Sequence, residues 1–198
     1  MYIAPGIDSK EYLDLKLNDP ASPDWTFAIE IFRQRILARY VEPADLLIEA
    51  DLKRKPAQRR YGFSILALDC LLIETLQSFR EGLTDSKGKS EKMFKRFLSR
   101  SKSFQKYFTE DEAVRFFKDF RCGILHQAEV MGPWLLWSVG SIKGEKSDGT
   151  PYLNRTKMHE SMKIEIDSYC SKLRDLTNAD LRNKFRTKMD FIARKNTA

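Results

Sequence analysis

The chain has only two histidines, His126 and His159, and histidine is the side chain whose ordinary pKa lets it trade protons near neutral pH. His126 lies in Phe120-Arg121-Cys122-Gly123-Ile124-Leu125-His126-Gln127-Ala128-Glu129, so an arginine precedes it with four residues between. That pairing suits metal-free RNA cleavage, in which the 2′-hydroxyl attacks the adjacent phosphate. An imidazole takes the hydroxyl proton or protonates the leaving oxygen. A guanidinium, always charged, presents a planar fork to the phosphate oxygens as charge builds on them. Arg121 and His126 are therefore the candidate catalytic pair. Five residues along an ideal α-helix leave two side chains about 140° apart. The pair then needs either a helix distorted near Gly123 or a site assembled from two subunits. The competing reading pairs Arg121 at the surface and packs His126 beside Glu129.

Three further residues are expected beside this pair: Glu74, Cys122 and Glu129. Glu74 and Asp69 interrupt the most apolar stretch of the chain, where an unpaired carboxylate is costly. Glu74 is expected to accept a hydrogen bond from Arg121 or His126 and orient it. Asp69 either pairs with another base or faces solvent through a thin side of the fold. His159, in Lys157-Met158-His159-Glu160, reads as a surface residue near a helix start.

The elements that must position these residues follow from apolar periodicity. Residues 1–22, with Pro5, Gly6 and Pro20, read as an irregular N-terminal arm. Asp24 is placed to cap a helix from Trp25 to about Arg39, whose apolar positions recur at helical spacing. Pro43 suits the first turn of a second, short helix. Residues 61–81 are apolar nearly all round, which predicts a central buried helix ended by Gly82. A helix from Glu110 to about Met131 carries the arginine–histidine pair, with Glu110, Asp111 and Glu112 at its positive end, and Gly132-Pro133 stops it. A small β-hairpin is expected near residues 134–153, since Trp134 to Val139 is apolar and Asp148-Gly149 marks a turn. Residues 157–176 and 178–195 read as two closing helices. The fold class is all-α: a single helical domain over residues 23–198.

At 198 residues, with 13 Phe, 7 Tyr and 3 Trp, the chain has the material for one ordinary core. Its formal net charge of +7 is unevenly spread. Residues 1–52 hold 5 basic and 10 acidic side chains, a net of −5, leaving +12 on the remainder. That asymmetry suits a polyanion partner, RNA above all. Lys92, Lys95, Arg96 and Arg100, interleaved with Phe94, Phe97, Phe104, Tyr107 and Phe108, are the candidate nucleic-acid-binding residues. The blander reading makes the rings core and the cations their solvated face. The run Lys53, Arg54, Lys55, Pro56, Arg59, Arg60 reads as a basic loop. No phosphate-binding Gly-rich loop, dinucleotide fingerprint or zinc-protease motif is present. Three widely spaced cysteines argue against a disulfide framework or a structural zinc site. No signal-peptide pattern or membrane span is expected, which places the chain in the cytoplasm.

The helical placement of Arg121 and His126, the apolar helix before them and the one-domain length resemble the HEPN superfamily. These are small all-α domains whose catalytic members are metal-independent ribonucleases carrying R-x4-6-H. The resemblance spans about residues 25–130. It implies a HEPN-like helical bundle with Arg121 as phosphate binder and His126 as acid–base group. It also implies RNA cleavage to a 2′,3′-cyclic phosphate, without metal or cofactor. The setting implied is toxin–antitoxin or phage defence, with a homodimer and an antitoxin or other protein partner, and no membrane. The residue after the arginine is commonly polar in that family; here it is Cys122. That substitution motivates an alternative, a non-catalytic HEPN-like module that binds nucleotides, RNA or a protein.

Overall fold

The fold was obtained as a computed structural model, which describes residues 2–55 and 58–195. Pro56, within the basic run, lies outside them. The protein is mostly helical. Two short strands, β1 (Tyr2–Ala4) and β2 (Ile7–Asp8), pair around a Pro5–Gly6 turn. Gly6 has φ +72°, a left-handed value that only glycine adopts freely. Helix α1 (Ser9–Leu13) follows, closed by a capping box between Asp8 and Glu11.

The segment expected as an irregular arm is thus ordered, and it belongs to the bundle. Ile3, Tyr12 and Leu17 are buried. Arg35 donates to the Ile3 carbonyl at 2.7 Å, and the Tyr12 hydroxyl donates to Asp190 at 3.2 Å. Its prolines punctuate the link to the next helix, whereas its apolar side chains decide where it lies.

Helix α2 (Asp24–Ile36) runs through a π turn (Leu37–Val41) into α3 (Glu42–Leu52). Pro43 sits in the first turn of α3, as its fixed φ favours. Asp24 does not cap α2: its carboxylate instead accepts the Lys16 backbone N–H at 2.7 Å. Helix α4 (Gly62–Glu81) is the central helix, ended by Gly82 at φ +67°. By length and composition it could cross a bilayer, yet 56% of that stretch is buried within the fold. Helices α5 (Ser90–Arg100) and α6 (Glu110–Phe116) follow. Helix α6 opens with a Thr109–Glu112 capping box and continues through a second π turn (Phe117–Cys122) into α7 (Gly123–Gln127). Helices α8 (Arg155–Arg174) and α9 (Ala179–Lys195) close the chain.

Between α7 and α8 lies a three-stranded sheet of order β3 (Leu135–Trp137), β5 (Pro151–Asn154), β4 (Lys143–Glu145). The expected hairpin is β4–β5, turning at Gly149. The aromatic segment is not its first arm, because β3 adds parallel to β5. Lys143 pairs with Glu112, and the Trp134 indole donates to Asp119 at 3.1 Å, tying the sheet to the α6–α7 helix.

Two aromatic clusters fill the core. Phe32 packs edge-on against Phe79, Tyr169 and Phe185, joining α2, α4, α8 and α9. Phe94, Phe116, Phe120 and Trp134 form the second, joining α5, the α6–α7 helix and the sheet.

Asp51 locks the loop after α3. It accepts the N–H groups of Arg60 and Tyr61, each at 3.1 Å, and pairs with the buried Arg155. Burial would raise its carboxyl, but those N–H groups and the guanidinium hold it below the usual carboxylate range. Such a group binds fewer protons folded than unfolded. Its contribution is therefore complete above the unfolded value of about 4 and disappears as pH falls through the native value. Acid unfolding monitored by circular dichroism should become less steep below about pH 4 in Asp51→Asn than in the wild type. Matching acid slopes would show that Asp51 does not carry this linkage.

Candidate functional site

Arg121 sits at the end of the second π turn and His126 in α7, so the junction between them is not regular α-helix. A π turn widens the helix by bonding i to i+5 and is often found at functional sites. Here it sets the Arg121 guanidinium 5.6 Å from the centroid of the Phe117 ring and turns it toward α4. Arg121 Nε donates to Glu74 Oε1 at 2.8 Å, with both side chains largely buried. Glu74 Oε2 in turn accepts from the Ser90 hydroxyl at 3.1 Å. The carboxylate in the apolar helix is therefore the orienting partner of the motif arginine. It holds Nε and leaves both Nη groups without a hydrogen-bond partner among the described residues.

His126 points elsewhere. It is exposed and lines an open depression of about 390 Å³ with Lys118, Asp119, Cys122, Gly123, Gln127 and Met131. Arg121 is not part of that lining. Within one chain the two motif residues have different surroundings, as expected for side chains that do not share a helix face. Cys122 is half-buried and does share the depression with His126. Glu129 is exposed, and its carboxylate accepts the Val130 N–H at 3.0 Å.

The helix carrying the motif stops at Gln127, short of the expected Met131. Ala128 adopts φ +53°, and the chain folds back along the helix. The Met131 N–H bonds to the Asp119 carbonyl at 2.8 Å, and the Glu129 N–H to the Gly123 carbonyl at 3.4 Å. This return needs Gly123: a Cβ there would lie 2.4 Å from the Glu129 carbonyl oxygen. Gly123→Ala should cost roughly 1–3 kcal/mol, because backbone rather than a flexible side chain must move. Urea unfolding would show it as a lower midpoint at unchanged m. An unchanged midpoint would mean the return loop yields freely.

Lys118 was not singled out from the sequence, and it is the cation that shares the His126 depression. Its signal was available: Lys118, Cys122 and His126 follow one another at intervals of four.

His159 is the clearest departure. It is 1% exposed rather than at the surface. Its Nδ1 lies 2.7 Å from Asp69 Oδ1 and its Nε2 lies 3.5 Å from Asp45, which also holds Lys163 at 2.9 Å. Burial raises the Asp69 carboxyl and the imidazole pulls it back down. His159 is buried because it belongs to the inward stripe of α8 with Met162, Ile166 and Leu173. The dyad has the composition of an acid–base pair, but it is closed to solvent.

The α5 cations are surface residues above an aromatic core. Phe94, Phe97, Phe104 and Phe108 are buried, so these rings do not offer faces to bases. Lys95 pairs with Glu110 at 2.6 Å, Arg96 with Glu81 at 2.8 Å and Arg100 with Glu110 at 3.7 Å. Lys92 is exposed. In the basic run, Arg54 stacks over Tyr61, 5.1 Å from its centroid, and Arg59 donates to the Ser138 hydroxyl, so both are structural contacts. Among the described residues, no group of three or more His, Cys, Asp or Glu side chains is arranged to hold a metal ion.

No protein-family model, curated protein or solved structure matches the chain.

Proposed function

We propose that the protein is a metal-independent endoribonuclease of the HEPN type, working in a toxin or phage-defence setting. The observation that carries this reading is the division of labour around one helical junction. Glu74 holds Arg121 by Nε, its Nη groups have no hydrogen-bond partner among the described residues, and the exposed imidazole of His126 lies one turn on, lining a depression with Lys118.

His126 takes the proton of the 2′-hydroxyl as the 2′-oxygen bonds to phosphorus. The bond from phosphorus to the 5′-oxygen breaks, and that oxygen leaves with a proton returned from the imidazolium. Arg121 and Lys118 hold the non-bridging oxygens as charge grows on them. The products are a 2′,3′-cyclic phosphate and a 5′-hydroxyl. The different surroundings of Arg121 and His126 within one chain support a homodimer as the working unit, with the arginine of one copy serving the histidine of the other. Leu125 and Met131, 43% and 48% exposed, flank His126 and supply apolar surface for that contact.

The pairing of Arg121 with Glu74 also favours a second reading, a non-catalytic module that binds RNA, nucleotides or a protein partner. Single-stranded RNA incubated with the purified chain in EDTA separates the two. Fragments accumulating with time support the nuclease. Salt-sensitive binding without fragments supports the module and removes the nuclease.

A further inference from the structure

A cavity of about 400 Å³, sharing no lining residue with the His126 depression, opens between the last turn of α4, the end of α5 with the turns after it, α8 and the first turn of α9. Four cations line it: Arg80, Arg100, Lys102 and Lys172. Glu165 is its one lining carboxylate, and that group is already satisfied. Glu165 Oε2 accepts from Arg80 at 2.7 Å and Oε1 from the Ser103 N–H at 3.0 Å. Arg100 has only a loose contact with Glu110 at 3.7 Å, and it is 69% exposed. Lys102 and Lys172 have no carboxylate partner among the described residues.

A second observation is independent of charge. Tyr169 lines the same cavity and is 1% exposed, yet its hydroxyl has no hydrogen-bond partner among the described residues. A buried hydroxyl without a partner is costly, and native structures rarely leave one so. Burial pushes this phenol far above its ordinary pKa, so it stays a donor. Leu181 places the positive end of α9 at the rim. Arg80 is held by Glu165 and by the Ser101 hydroxyl at 2.7 Å, so Arg100, Lys102, Lys172, the lone donor and the helix end are what call for a multiply charged anion. The volume falls within the range of small-ligand sites.

We propose that this cavity is a phosphate-binding site, which takes the phosphates of an RNA strand or of a free nucleoside triphosphate. Arg100 belongs both to the cavity and to the basic face of α5. A strand following Lys92 and Arg96 along that face therefore arrives with a phosphate at the cavity mouth. The site shares no residue with the cleavage chemistry, so either can fail without the other.

Calorimetric titration with pyrophosphate, with ATP and with a short oligoribonucleotide tests it. Wild type should bind pyrophosphate, and Lys102→Ala/Lys172→Ala should weaken it roughly tenfold or more. Tyr169→Phe, which keeps the ring, should also weaken it, and Lys157→Ala on the opposite end of α8 should not. For the oligonucleotide, the double variant should lower the slope of log affinity against log salt by about 1.4. Tighter binding of RNA than of ATP assigns the site to the strand, and the reverse assigns it to a free nucleotide. Pyrophosphate that does not bind, or binds wild type and the double variant equally, overturns the proposal.

Discussion

His126→Ala should reduce RNA cleavage by about 10²- to 10⁴-fold while leaving RNA binding within a few-fold of wild type. General acid–base catalysis by a positioned side chain contributes on that order. His126 is exposed and has no hydrogen-bond or ion-pair partner among the described residues, so the variant should keep its unfolding midpoint. Arg121→Ala should fall by a similar factor in rate, but it also leaves Glu74 without its guanidinium in a largely buried position. That variant should therefore lose stability as well as activity. Arg121→Lys should recover the charge without the fork, and so only part of the rate. Gel assays under single-turnover conditions, paired with urea melts, separate the two effects. Cleavage at full rate in His126→Ala would remove the imidazole from the chemistry.

The second large effect concerns stability alone. His159→Ala should cost about 3–5 kcal/mol, because it leaves Asp69 buried without its partner. Against a total of about 5–15 kcal/mol for a typical domain, this brings the protein close to unfolding at ordinary temperature. Asp69→Ala/His159→Ala should cost clearly less than the two single changes summed, since the double change removes the stranded buried polar group as well as the pair. Denaturant melts of the four proteins measure the coupling. Costs that add within about 0.5 kcal/mol would show that the dyad carries no specific interaction.

The contrast between the two histidines shows what one-dimensional reading captures. Asp69 and Glu74 were conspicuous because a carboxylate in an apolar helix demands a partner, and both have one: His159 and Arg121. Which partner each takes depends on how the second π turn and α8 pack on α4, and sequence spacing does not encode that. Helix α4 was legible because apolar periodicity reports burial directly. The π turn at Phe117–Cys122 was not, because the same phenylalanines suit an α-helix equally well. The early end at Gln127 was hidden for a related reason. Gly132-Pro133 is the stronger local stop signal, but the close return of residues 129–131 over Gly123 ends the helix first. The parallel pairing of β3 with β5 joins residues far apart along the chain, beyond the reach of turn chemistry. The aromatic spacing in α5 correctly marks a helix; whether its rings face core or ligand is decided by α4 and α6, which pack against it.

A single oligoribonucleotide bearing one 2′-deoxy substitution at a mapped cleavage position, digested in EDTA beside its all-ribose counterpart, reads the chemistry most directly. Cleavage by 2′-oxygen attack predicts that the all-ribose strand yields a fragment ending in a 2′,3′-cyclic phosphate and that the deoxy position survives intact. Cutting at the deoxy position, or an all-ribose fragment ending in a plain 3′-hydroxyl, would contradict it, since neither product arises from an imidazole activating the 2′-hydroxyl.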